Sequence, residues 1–401
     1  MALTSTQQGI QNQINAFDSN TGTQILLSTL LQAINAGDVR QGYDSASVFP
    51  TDSAFIGMIG FDENDSDLRF IGRGLTVHKI DSADIVTSGG GSSIAGIGDT
   101  SLYSFGTRAN VTPSAIYQNK EVIVFASDAK ATQPGLLAES TYYAAAGGTE
   151  LYGYVIGGVS PNRSPSNTGV VMRHTLATSG NMTNMPTPIP NSPHVQQTNS
   201  TPMGPGAGDY VYYLTGGYPN TNSLHKYGAA GDAPYVDVGD ISTALKQLAA
   251  TNSATHGYVM GGVRNSPPYT FNVIEKFPFA TDENTTDVGD LAVNAFAGMG
   301  GITPTHGYHL GGYSTGTGSP SGGKNHIQKF AFASGGNATD VADMAETRYE
   351  GGAGQSQTHI YTVGGQASST VADKTPYASD TNSTTIGSLN VARYQHTSTS
   401  H

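Results

Sequence analysis

Three aspartate pairs, Asp237/Asp240, Asp287/Asp290 and Asp340/Asp343, have the residue type and spacing for general acid–base hydrolysis. The same spacing returns in three places, however, whereas a catalytic centre needs one asymmetric site. Repetition makes these residues turn caps, with each carboxylate accepting a backbone N–H. His256, His306 and His359 repeat likewise, each five residues before a Gly-Gly pair. One imidazole per repeat could ring a channel and hold a metal. Side chains so distributed stand too far apart for one ion, so hydrogen bonds between repeats are expected instead. Residues 62–67 read DENDSD, with oxygen ligands at alternate positions as in a calcium loop. They lack the glycine and the distal glutamate of that loop, and a solvated hairpin turn is expected.

Other signatures of catalysis are missing from the sequence: there is no nucleophile elbow, phosphate loop, HExxH or dinucleotide fingerprint. With no Cys among 401 residues, thiol nucleophiles, thiolate metal sites and disulfides are excluded together. The sparse arginines, Arg108, Arg163, Arg173, Arg264, Arg348 and Arg393, do not form a sialidase-like triad by spacing. The expectation is a protein that is not an enzyme and carries no cofactor and no metal. Eighteen basic residues against thirty acidic ones give a formal charge of −12, and no basic run exists. A nucleic-acid partner, which requires clustered cations, is not expected. The most apolar stretch, ILLSTLLQAI at 25–34, is too short and too polar to insert in a bilayer. The first residues, MALTSTQQGIQNQ, carry neither the basic nor the apolar region of a secretory leader.

The elements that must position any site are read from a repeat. THGYVMGGV at 255–263 returns as THGYHLGGY at 305–313. Taking the first Gly of each pair with a Tyr three residues earlier marks Gly157/Tyr154, Gly216/Tyr213, Gly261/Tyr258, Gly311/Tyr308 and Gly364/Tyr361, with a degenerate copy at Gly106/Tyr103. The markers recur about every fifty residues, the sign of a radial or stacked repeat. Within each unit the Tyr segment is followed by a variable Gly/Ser/Pro/Asn loop. A second strand comes next, such as VIEKFPFA or HIQKFAFA, then a third such as TDVGDL or TDVADM. A strand of small residues, such as AFAGMGG or YEGGAGQ, leads into the next unit. Four short strands repeated six times predict a mainly β protein with a six-bladed β-propeller. The final ARYQHTSTSH matches the strand that precedes each Tyr-Gly-Gly segment, and the first unit lacks such a strand. The terminal strand is therefore expected to complete the first blade and leave no open edge.

Residues 99–401 resemble the kelch family. TRYEGGAGQSQTHIYTVGG at 347–365 is similar to the kelch passage from an Arg-led inner strand to the Gly-Gly strand. IQKFAFASGGNATDVADM at 327–344 is similar to the next two strands. The kelch tryptophan is missing, and Val288 and Val341 stand near its place. Before the propeller, residues 1–86 read as a small α+β module with two helices and a β-hairpin over 53–80, and residues 87–98 as a Gly/Ser linker.

In overall plan the chain resembles repeat proteins encoded by marine tailed phages, which share the GDL, KFPFA and THGY..GG repeats. That resemblance implies a virion structural protein of tail-fibre or appendage type on the particle surface. It implies contact with other virion proteins through residues 1–86, self-association into a homo-oligomer, and a propeller that contacts a host-surface glycan or a neighbouring virion protein. A capsid decoration protein without a receptor and a polysaccharide-acting enzyme are the alternatives. Loops between the second and third strands and loops entering the next blade emerge on one face, where insertions collect. Arg163, Tyr218, Arg264, Tyr269, Tyr313 and His326 in those loops are the candidate ligand-binding residues, able to stack on or hydrogen-bond to sugars.

Overall fold

In the computed structural model the described residues are four strands within the first 93 positions and most of 101–400. The latter span omits 106–107, 110–114, 117, 149–151, 160–168, 176–179, 186–197, 201–209, 215–221, 229–234, 317–319 and 367–369. The chain divides into two units between Ser93 and Ile94, inside the expected linker. In the first unit Arg40–Tyr43, Ile59–Asp62, Asp67–Ile71 and Val77–Ile80 form a four-stranded sheet in that order. The first pair is parallel and the other two are antiparallel. The two expected helices, residues 63–66 of the acidic turn and the linker at 87–98 lie outside the described residues.

The second unit is a six-bladed β-propeller, and among the described residues it contains no helix. Blade 1 pairs Thr397–Ser400 with Ser101–Phe105, followed by Asn119–Val124 and Thr132–Leu136. Blade 2 is Ala145–Gly148, Tyr152–Ile156, Val171–Thr175 and Thr183–Asn184. Blade 3 contains Tyr210–Leu214, Ser223–Gly228 and Val236–Asp240. Its innermost place is taken by Thr198–Ser200, which lies parallel to the next innermost strand. Blade 4 is Leu248–Asn252, His256–Met260, Val273–Pro278 and Thr286–Asp290. Blade 5 is Met299–Ile302, His306–Leu310, His326–Ala331 and Thr339–Asp343. Blade 6 is Gly352–Gln355, His359–Val363, Val371–Pro376 and Thr384–Ser388. The six innermost strands touch their neighbours in a closed ring. They are written in small residues because the ring is tight: a Cβ on Gly300 would stand 1.7 Å from the Ala250 carbonyl oxygen of the neighbouring blade.

The Gly-Gly pairs are joints between blades. In blade 4, Gly261 and Gly262 have φ of 66° and 105°, a left-handed turn that side chains resist. The turn aims the Gly262 N–H at the Ala295 carbonyl of the next blade, 3.0 Å away. Gly312 and Gly365 donate in the same way to Arg348 and Arg393. At the periphery, the Asp240, Asp290 and Asp343 N–H groups donate to the side-chain oxygens of Asn284, Asn337 and Asn382 in the following blade.

Tyrosines fill the clefts between blades. Tyr103 packs on His174, Tyr154 on Tyr227, Tyr258 on Phe330, and Tyr361 on Phe125. In blade 3 the residue in this place is Tyr212, which meets Phe277 and Phe279, and not the marker residue Tyr213. Tyr212 pairs with Lys226 as Tyr258 pairs with Lys276, so the Tyr-to-Gly spacing in this strand is one residue longer. A one-residue shift turns a strand's side chains to the opposite face. Tyr213 accordingly joins the cluster with Tyr154 and Tyr227 of the preceding cleft.

Two fully buried ion pairs lie beneath the crossovers: Arg348–Asp373 at 2.9 Å in blade 6, and Arg393–Glu121 in blade 1. Blade 5 carries Ala295 and Gln328 in the matching places, and the Gln328 amide bonds both backbone groups of Val293. Both charges are thus lost together, which leaves neither uncompensated in the interior.

Candidate functional site at the mouth of the axis

The innermost strands run away from one face, and in blades 2, 4, 5 and 6 the chain returns to it at the Gly-Gly turn. That face carries both the loops between second and third strands and the crossovers into the next blade. Just before the innermost strand, five described crossovers each place one residue in the left-handed region: Tyr143, Gln247, Ala297, Glu350 and Gln395, with φ of 54–56°. None is glycine. Their backbones support one another around the axis. Tyr143 N–H donates to Gln395, Gln395 to Glu350, Glu350 to Ala297, and Ala297 to Gln247, over 2.7–3.2 Å. Each bond crosses from one blade to the next, so the strain of five left-handed residues is held by the closed ring.

This turn delivers the side chains to the mouth. Gln247 Nε2 of blade 4 donates to Glu350 Oε1 of blade 6 over 3.2 Å. It passes blade 5 because only the Ala297 methyl stands there. Gln366 Nε2 donates to the other carboxylate oxygen over 3.4 Å, and Gln395 Nε2 donates to the Tyr143 hydroxyl. Glu350 and Gln395 are buried, whereas Tyr143, Gln247 and Gln366 are half-buried and reach the surface. An aromatic rim adjoins this floor. Tyr313 meets Phe296 and Tyr349 edge-on, with centroids 5.6 and 5.1 Å apart. Tyr142 leans on Tyr143. Burial raises the Tyr349 phenol pKa, and the Glu350 charge and Tyr313 add to the shift. The phenol therefore stays a hydrogen-bond donor through neutral pH. Amides, phenols, one carboxylate and flat ring faces make up a surface suited to hydroxyl-rich ligands.

The sequence-predicted residues fall in different places. Tyr313 belongs to the rim. Arg264 lies on the same face, stacked over Phe271 and bonded to the Ser266 and Pro267 carbonyls, so it shapes its own loop. Tyr269 is displayed at the tip of that loop, 43% exposed. His326 is held away from the mouth, with Nδ1 2.7 Å from Asp340. Arg163 and Tyr218 lie outside the described residues. The three repeated histidines do not bridge blades, contrary to the expectation. Each accepts from or donates to the threonine before it at 2.8 Å: Thr255–His256, Thr305–His306 and Thr358–His359. The turn that follows each innermost strand brings the hydroxyl and Nδ1 together before a neighbouring blade can compete. Among the described residues no cluster of three or more ligating side chains is present. Asp237 and Asp287 accept from the N–H two residues on, at 3.2 and 3.0 Å, as turn caps do.

No protein-family model and no curated protein matches the chain. The mouth residues Tyr143, Gln247, Glu350 and Gln395 escaped the sequence reading because they share a backbone position and not a residue type. Their one sequence signal is a fixed place, one or two residues before each small-residue strand.

Proposed function

We propose that this protein is a virion structural component of a tailed phage, of tail-fibre or appendage type. The N-terminal unit would attach it to the particle, and the propeller would bind host-surface glycan with the face that carries the axial mouth. The virion assignment rests on the kelch-like and phage-type repeats of the sequence. The glycan assignment rests on one observation, the convergence of Gln247, Glu350, Gln366, Gln395 and Tyr143 beside the Tyr313–Tyr349 rim. Sugars are recognised by amide and carboxylate hydrogen bonds to hydroxyls and by stacking on aromatic rings. Both kinds of group are held here by backbone that the ring pre-organises, which lowers the entropic cost of binding. One carboxylate joins this network, whereas glycoside hydrolysis uses two at a set distance, and the geometry favours holding a sugar over cleaving it.

A glycan array probed with the full chain tests the binding half. Binding is expected, with a loss of about tenfold or more in Gln366→Ala and Tyr349→Ala at unchanged thermal stability. No signal on any glycan would refute it. Labelling of the chain on purified particles tests the other half, and absence from particles would refute the virion role.

A further inference from the structure

The face opposite the mouth carries a repeated ion pair. Lys226 of blade 3 meets Asp282 of blade 4 at 2.6 Å. Lys329 of blade 5 meets Asp380 of blade 6 at 3.0 Å, and Lys374 of blade 6 meets Asp128 of blade 1. In each case a lysine on the third strand of one blade reaches the turn between the third and outer strands of the next. The aspartate stands four residues before the outer strand, which starts at Thr286, Thr384 and Thr132.

At the boundary of blades 4 and 5 half of the pair is missing. Lys276 occupies the lysine place, paired across its sheet with Tyr258 as Lys374 is with Tyr361. Four residues before Thr339, where the aspartate belongs, stands Gly335. Among the described residues Lys276 has no acidic partner. The missing side chain leaves room. A Cβ on Gly336 would meet nothing within 4 Å, and one on Gly335 would find its nearest neighbour, the Val288 carbonyl oxygen, at 3.6 Å. The charges around the matching histidines tell the same story. His306 and His359 feel both a lysine and an aspartate, whereas His256 feels Lys276 alone. In the blade 6 copy the tyrosine hydroxyl donates to the aspartate, Tyr361 to Asp128 at 3.3 Å. Tyr258 holds that place beside Lys276.

We propose that this vacated place is a carboxylate-binding site that takes a uronic acid unit of an acidic polysaccharide. The ligand's carboxylate replaces the absent aspartate, pairs with the Lys276 ammonium and accepts from the Tyr258 hydroxyl. A lysine whose repeated partner is a carboxylate, left without one, is selective for an anionic ligand in a chain of formal charge −12. The site is separate from the mouth, so it stands or falls independently of glycan binding there.

The test is titration of the full chain with glucuronate, glucose, acetate and inorganic sulfate, followed by NMR or calorimetry. Glucuronate is expected to bind in the millimolar range and glucose not to bind at this site. Lys276→Ala should weaken glucuronate at least about fivefold. Gly335→Asp should do the same by supplying the carboxylate internally, since aspartate tolerates the left-handed φ of 62° found there. That variant should also melt higher than the parent, which separates site occupation from misfolding. Acetate binding as tightly as glucuronate supports the carboxylate site and assigns recognition to the charge alone. Sulfate binding more tightly than glucuronate, or glucuronate binding untouched by either substitution, overturns the proposal.

Discussion

Thr399 lies opposite Tyr103 in an antiparallel register that zips the strand Thr397–Ser400 onto the strand Ser101–Phe105. Residues nearly three hundred positions apart thus share one sheet, and Ser400 Oγ accepts the Gln355 N–H from the neighbouring blade at 2.7 Å. Ring closure therefore depends on four residues. Deleting residues 397–401 should expose the edge of blade 1 and lower the melting temperature by about 10 °C or more. Calorimetry decides this, and an unchanged melting temperature would show that the ring is held elsewhere.

The Arg348–Asp373 pair predicts strong coupling. Both side chains are fully buried, and Arg348 Nη1 also donates to Thr362 at 3.1 Å. Asp373→Asn should strand a buried guanidinium at a cost of about 3–5 kcal/mol. Arg348→Met should strand the carboxylate at a similar cost. The double variant should lose less than the sum, since blade 5 folds with neither charge. Urea unfolding of the four proteins measures the coupling, and strict additivity would be evidence against it.

Acid should loosen the propeller through His309 and His396. Both are completely buried with no hydrogen-bond partner on either ring nitrogen among the described residues. Burial lowers the pKa of His309 from 6.5 to about 4. Burial, then Arg393 and Arg348, push His396 well below its ordinary value. The folded protein thus resists protons that the unfolded chain accepts. The stability conferred by the neutral rings is fully present above pH 6.5 and is lost as pH falls toward 4, by an order of about 3 kcal/mol for His309. Blade 4 carries Val259 at the matching position, so His309→Val is the natural control. Stability measured from pH 7 to pH 4 should fall less steeply in that variant. Equal slopes would exclude His309 as the group responsible.

Ala297 is held at φ 55° without any side-chain contribution to the mouth network. Ala297→Gly should stabilise by about 0.5–1 kcal/mol by relieving left-handed strain. Gln247→Gly should not, because it forfeits the bond to Glu350. Chemical denaturation of both variants checks the contrast.

Much of the architecture was legible from local pattern. The Gly-Gly recurrence, the KF-containing strands and the TDVGD strands report the four-stranded blade, because pleat and turn chemistry act within a few residues. The small residues of GMGGI and GGAGQ marked the strand that leads into each next unit, whereas the tightness of the ring they form is tertiary. The slip at Tyr213 shows the limit: a marker counted back from Gly216 cannot say which pairing register the strand adopts, and register decides the face.

The chain's own order of residues established the repeat, the number of blades and the closing role of TSTS, since each follows from periodicity and from hydrogen bonds every strand must find. Folding in three dimensions alone brought Gln247 beside Glu350 and left Lys276 facing a glycine. Those meetings depend on how successive blades rotate about the axis and on which carboxylate the next blade omits. Contacts between residues fifty to a hundred positions apart are created by ring geometry, and no local propensity encodes them.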